Sequence, residues 1–203
     1  MATPFVYLAS QSPRRRELLT QVGVAHEILA PDAAGEAGEV DETLHPGEAP
    51  AEYVRRIARA KAAAGWDRIC RERLPAHPVL AADTTVAVDG RILGKPASAA
   101  AAGDMLRALS GCTHQVYTAV AMAWHNRIEL ALSESNVTMR VLSEEEIAHY
   151  AGTEEPMDKA GAYAVQGRAA IFIERIEGSY SGVMGLPLFE TANLLSGAGL
   201  VLP

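Results

Sequence analysis

Apolar positions along the chain change period several times, and each change predicts an element. Phe5 to Ala9 is a short apolar run that predicts a buried strand, and after Ser12 and Pro13 the residues Leu18, Leu19 and Val22 recur at helical spacing. Ser12 has the chemistry of an N-cap and Pro13 that of a first helical residue. Ala30 to Pro50 mixes Gly, Pro, Ala and acids without a period and predicts a long loop. Tyr53, Val54, Ile57, Ala58 and Lys61 then set a helix over 51–66, with Arg55, Arg56 and Arg59 mostly on another face. Pro78 to Ala82 predicts a buried strand closed by Asp83, and Thr85 to Leu93 a hairpin turned by Asp89-Gly90. Gly94-Lys95-Pro96 breaks into a helix over about 98–109 that stops at Ser110-Gly111. Two β-rich runs, 114–123 and 128–141, join through His125-Asn126, and Ser143-Glu144-Glu145-Glu146 opens a short capped helix. An apolar run from Ala169 to Ile173 continues to Ile176, followed by a Gly/Ser-rich turn over 178–182 and a last helix from about Pro187. Strands alternating with helices, interrupted by two hairpins, predict an α/β fold with a mixed central β-sheet flanked by helices.

The chain has 203 residues, 49% of them hydrophobic, enough to bury a full core in one domain spanning 1–203. A formal charge of −7 argues against a general nucleic-acid surface and makes the run Arg14-Arg15-Arg16 stand out as local. Cys70 and Cys112 form neither a disulfide framework nor a zinc motif, so reduced thiols are expected. No basic segment followed by a long apolar run opens the chain, and no stretch reaches about 18 apolar residues, which predicts a cytoplasmic protein with no membrane partner.

Three arginines in the first turn of a helix are electrostatically misplaced. The free N–H groups make that end positive, so each cation there costs about 0.3–1 kcal/mol, and a bound anion reverses the sign. A strand, a tight turn, a helix N-terminus and converging guanidiniums therefore suggest a phosphate site, against the plainer reading of a solvated basic surface. Asp83, expected at a strand end, has the chemistry to bind a divalent metal or take a proton from water, or merely to cap the turn into Thr84-Thr85. Lys95 lies between Gly94 and Pro96, Asp158-Lys159 sits in a glycine-bearing segment, and Lys61 is a lone cation in an apolar helical pattern. Each is weak alone; together they suit a triphosphate with a metal. No G-x-x-x-x-G-K-[ST], G-x-G-x-x-G or G-x-S-x-G sequence occurs, which removes the Walker, dinucleotide and serine-hydrolase readings.

The opening Leu8-Ala9-Ser10-Gln11-Ser12-Pro13-Arg14-Arg15, Ala82-Asp83-Thr84 with Gly94-Lys95-Pro96, Leu109-Ser110-Gly111-Cys112-Thr113-His114, Glu155-Pro156-Met157-Asp158-Lys159-Ala160-Gly161-Ala162-Tyr163 with Val165-Gln166-Gly167, and Gly185-Leu186-Pro187-Leu188 resemble the Maf family, in order and over nearly the whole chain. The resemblance implies two lobes with a cleft and a pyrophosphatase that cleaves a nucleoside triphosphate between its α and β phosphates with Mg²⁺ or Mn²⁺. Its Asp-Lys-Ala-Gly and Gln-Gly version is similar to the dTTP/UTP branch, with a nucleotide-pool role that extends to modified pyrimidines. A 7-methyl-GTP or broad-specificity enzyme, and a non-hydrolytic nucleotide-binding regulator of cell division, are the rivals. The implied roles are Asp83 as general base and metal ligand and Glu42 as the second metal ligand, with Asp41 and Glu39 as substitutes for Glu42. Ser10, Arg14, Arg15, Lys61, Lys95, Asp158 and Lys159 would hold the substrate, and Arg14, Thr84 and Gln166 would choose the base. The resemblance also leaves room for a homodimer.

Overall fold

A computed structural model of the protein describes residues 5–29 and 40–200. Its strands are β1 (Val6–Leu8), β2 (His26–Ile28), β3 (Val79–Val88), β4 (Arg91–Leu93), β5 (Thr113–Trp124), β6 (Arg127–Met139) and β7 (Ile173–Glu177). The helices are α1 (Pro13–Gln21), α2 (Pro50–Glu72), α3 (Ala99–Leu109), α4 (Glu144–Ala151), α5 (Tyr180–Met184) and α6 (Leu188–Gly197). The strands form one mixed sheet in the order β2-β1-β3-β5-β6-β7, with β4 paired to β3. Contacts of β1 with β2 and β3 are parallel, and the remaining pairs are antiparallel.

Alternation along β3 decides what each face meets. Val79 and Ala81 point to one side, where Ala58 and Ala62 of α2 and Ala119, Ala121 and Ala123 of β5 pack with them. Small residues let this long helix lie close: a Cβ at Gly65 would come within 2.7 Å of Val79 Cγ1. Leu80 and Ala82 point to the other side, against Leu18 and Leu19 of α1 and Leu194 and Leu195 of α6. Farther along the same strands a separate apolar cluster joins Val86, Val88 and Val116 to Leu106 and Leu109 of α3 and Ile147 and Tyr150 of α4. The residues of β3 between these clusters are Asp83, Thr84 and Thr85. In register across the sheet, Thr84 faces Thr118 and Thr118 faces Ser133, so a polar line divides two packing regions.

Several local expectations need correction. Asp83 does not close a strand: β3 runs unbroken to Val88 because β5 pairs with it from Val79 to Ala87. The strand that ends nearby is β1, paired to β3 only at Val79 and Leu80. Since β4 meets the same edge of β3 only from Val86 onward, Ala81 to Thr85 have no strand neighbour on that side among the described residues. Ser12 takes the N-cap position, but its hydroxyl caps nothing; its N–H donates to Ser10 Oγ at 3.2 Å. The helix α2 reaches Glu72, past the expected Trp66. The 178–182 segment is not a plain turn, for Ser179 caps the short helix α5 through Gly182 N at 3.0 Å. The first part of the predicted 30–50 loop lies outside the described residues, and 40–49 carries neither helix nor strand.

Candidate active site

Asp83 and Thr84, adjacent on β3, turn to opposite faces of the sheet, and each gathers its own partners. Asp83 turns to the α2 side. Lys61, three turns into that helix, reaches it with Nζ 2.8 Å from Asp83 Oδ1 and 2.6 Å from Glu42 Oε1. Asp83 is only 7% exposed. Burial pushes its carboxyl above the ordinary aspartate value, and the Lys61 and Arg15 cations oppose that rise. Glu42 arrives from the segment before α2, which α2 itself shapes. Tyr53 Oη donates to Glu42 O at 3.1 Å, and the Arg56 guanidinium grips both Glu48 carboxylate oxygens at 2.7 Å while bonding Asp41 O and Thr43 O. Asp41 is occupied elsewhere, its Oδ1 accepting from Thr43 N at 2.8 Å. Of the acids weighed for the metal, Glu42 is the one seated beside Asp83, and Glu39 lies outside the described residues.

Thr84 turns to the α1 side. Its Oγ1 accepts from Arg15 Nη2 at 3.3 Å and from Thr118 Oγ1 at 3.0 Å. Arg15 also donates from Nη1 to Ser10 Oγ at 3.1 Å and from Nε to Gly185 O at 2.7 Å. Burial pulls its guanidinium below the ordinary arginine value, and the Asp83 charge pulls it back up. The arginine run therefore does not act as one patch. Arg15 turns inward as a strut, Arg14 Nη1 crosses to Asp158 Oδ2 at 3.3 Å, and Arg16 stays at the exposed surface.

Asp158 also pairs with Lys159, whose Nζ donates to Glu155 O at 2.8 Å. Burial works to raise the Asp158 carboxyl, but the Lys159 and Arg14 cations outweigh it and hold it below the aspartate norm. Gly161 N donates to Gly94 O at 3.1 Å, which ties this segment to the turn bearing the exposed Lys95. Thus Asp83, Lys61 and Glu42 meet directly, as do Arg15, Ser10 and Thr84, and Arg14, Asp158 and Lys159. Lys95 and Gln166 are exposed and bond to none of them. The residues that sequence reasoning passed over are Tyr53, Arg56 and Glu48, which set the course of the chain at Glu42. The only local signal was Tyr53 and Arg56 one helical turn apart.

Two carboxylates from separate elements converging on one positive group are the donor chemistry of a hard divalent cation. Among the described residues no cluster of three His, Cys, Asp or Glu side chains exists to hold one alone. A cation that takes one or two carboxylates and completes its shell with water and phosphate oxygens fits Asp83 and Glu42.

No helix among the described residues is long and apolar enough to cross a membrane. Proteins named dTTP/UTP pyrophosphatase are similar to this chain over nearly its whole length. The one from Burkholderia pseudomallei (strain 1710b) is 58% identical over 197 residues, covering 96% of this chain and 94% of the relative. That of Cupriavidus metallidurans is 57% identical, covering 98% of each, and that of Aromatoleum aromaticum 56%, covering 96% and 95%. Residues 5–198 match the family described as Maf-like protein, and the chain belongs to the Maf family.

Proposed function

We propose that the protein is a nucleoside triphosphate pyrophosphatase that hydrolyses dTTP and UTP to the monophosphate and pyrophosphate. The observation that carries this reading is the pair of carboxylates, Asp83 and Glu42, converging on Lys61 beside the Arg15, Ser10 and Thr84 group. The names of the close relatives supply the substrate. In this reading Asp83 Oδ accepts a proton from water as its oxygen bonds to the α-phosphorus. The bond from that phosphorus to the α,β-bridging oxygen breaks, and its electron pair leaves with pyrophosphate. Burial supports the role, because a carboxylate raised above the aspartate norm is a stronger base. Arg15 holds phosphate oxygens in place as charge grows on the leaving group, with Arg14, Lys61, Lys95 and Lys159 adding positive charge around the chain of phosphates. Mg²⁺ or Mn²⁺, held by Asp83 and Glu42 when bound, supplies charge neutralisation at the phosphate oxygens. Gln166 offers one donor and one acceptor, matching the O4 and N3–H edge of uracil or thymine, with Arg14 and Thr84 completing the choice of base.

The same reading takes residues 1–203 as one domain, working in the cytoplasm on free nucleotides and not on nucleic acid; whether two copies associate is read from its mass in solution. The deciding experiment incubates the protein and Mg²⁺ or Mn²⁺ with dTTP, UTP, modified pyrimidine triphosphates, GTP and 7-methyl-GTP and measures pyrophosphate. Pyrophosphate and monophosphate from dTTP and UTP in preference to the purines is the expected result. Release of single phosphate, a preference for 7-methyl-GTP, or binding without hydrolysis overturns the reading.

A further inference from the structure

Gln166 makes no hydrogen bond among the described residues, so its location depends wholly on the turn that carries it. That turn closes through Gly167 N donating to Ala164 O at 3.1 Å, and the Glu155 side chain lies against it. Glu155 Oε2 accepts from Arg168 N at 3.1 Å, while Oε1 accepts from Tyr150 Oη at 2.9 Å and from Ala169 N at 3.4 Å. The approach is so close that a Cβ at Gly167 would stand 2.3–2.7 Å from the carboxylate atoms. The absence of a side chain at Gly167 thus leaves the room that the Glu155 carboxylate fills. Tyr150 in turn is buried on α4, with its ring edge-on to Phe172 at 5.4 Å. The chain enters the turn from a second anchor, Tyr163, whose Oη shares a 2.8 Å hydrogen bond with His114 Nε2. One carboxylate therefore fixes the backbone just after Gln166, and a tyrosine–histidine pair fixes it just before.

We infer that Glu155 is a positioning residue for base discrimination: it orders the 164–169 turn so that the Gln166 amide meets the base edge in one orientation. This rests on the proposed pyrimidine-reading role of Gln166. An amide at 155 keeps one acceptor but turns the other end into a donor facing N–H and O–H groups. The turn then loses at least one hydrogen bond to a charged acceptor and the orientation of Gln166 relaxes. The backbone carbonyl that holds Lys159 survives the substitution, so the phosphates keep their cation.

The test compares kcat/KM for dTTP and GTP in the wild type, Glu155→Gln, Tyr150→Phe and Gln166→Glu, with thermal unfolding of each. Glu155→Gln lowers the dTTP-to-GTP ratio about tenfold, the factor one hydrogen bond to a charged group carries. Tyr150→Phe, which removes only the tyrosine donor, lowers it in the same direction by less, and it decides the matter if Glu155→Gln fails to fold. Equal losses for both nucleotides, or an unchanged ratio in a folded variant, make Glu155 a strut for the fold and overturn the inference. If Gln166→Glu changes the ratio and neither Glu155→Gln nor Tyr150→Phe does, the inference fails while the base-reading role stands. If Gln166→Glu leaves the ratio unchanged, or the wild type does not prefer dTTP, the base-reading role fails and takes this inference with it.

Discussion

Asp83 on β3 and His114 on β5 are two buried ionisable residues of one sheet, at 7% and 0% exposure, and their surroundings treat them oppositely. Burial drives each toward its neutral form. Around Asp83, cations from α1 and α2 oppose the drive. Around His114 nothing opposes it. Among the described residues its one polar partner is the buried Tyr163 hydroxyl and its Nδ1 has no hydrogen-bond partner, and burial lowers its pKa to about 4. The same desolvation therefore meets cations in one region and a neutral tyrosine hydroxyl in the other. What separates the two regions is the supply of countercharge, not burial itself.

The contrast breaks most sharply at Asp83. Asp83→Asn keeps the shape and removes the charge, so kcat should fall about a hundredfold to ten-thousandfold while nucleotide binding persists. Steady-state turnover with equilibrium binding checks this, and a variant keeping more than about a tenth of wild-type turnover excludes Asp83 as the base. For His114 the expected effect is on stability. Its folded pKa lies below the unfolded value of about 6.5, so between pH 6.5 and 4 the unfolded chain binds a proton that the folded chain refuses. Stability is then full above that window and falls as pH drops through it, by on the order of 3 kcal/mol. Urea unfolding across this range should show a slope that His114→Gln flattens, and equal slopes in the two proteins contradict a neutral buried histidine.

Arg15→Ala tests whether the charged region is also structural. Helix electrostatics alone makes the free protein slightly more stable when this cation leaves. The three hydrogen bonds to Ser10, Thr84 and Gly185 predict the reverse, a loss of about 1–3 kcal/mol together with a raised KM and slower turnover. Denaturation midpoints decide the sign. The smallest effect is a displacement of a pH profile. Activity should be lost as pH falls through the raised pKa of Asp83, and Lys61→Met, by removing a cation that lowers it, should move this acid limb of the residual activity to higher pH. A limb that stays in place detaches the titration from Asp83.

Much of this was legible because the signals are local. Pro13 opens α1, the Asp89-Gly90 pair takes φ of 51° and 74° in the hairpin turn, and Ser143 with Glu146 forms the reciprocal cap of α4. The candidate charged residues stood out by type and position, and a resemblance that runs in order along the chain gave them their proposed roles. The environment of Asp83 was not legible. The acid at Asp83 reads as a strand end with a hairpin after it, and only the long pairing with β5, from Val79 to Ala87, makes 79–88 one strand. The same holds for Arg15, Tyr53 and Glu155, whose partners are fixed by tertiary packing and leave no periodic trace.

The stretch of β3 that has no strand neighbour on one edge among the described residues has one further consequence, for self-association. An unpaired strand edge is a template on which another chain can add a strand, and long flat edges are aggregation hazards. Here the unpaired stretch is the five residues from Ala81 to Thr85, bracketed by β1 before it and β4 after it. At roughly 3.3 Å per residue it spans about 17 Å, with strands already standing in line at both ends. A second chain cannot extend along it without displacing one of them. Ala81, Ala82, Asp83 and Thr85 are also buried, so the fold keeps that edge both too short and too enclosed for another protein molecule to use.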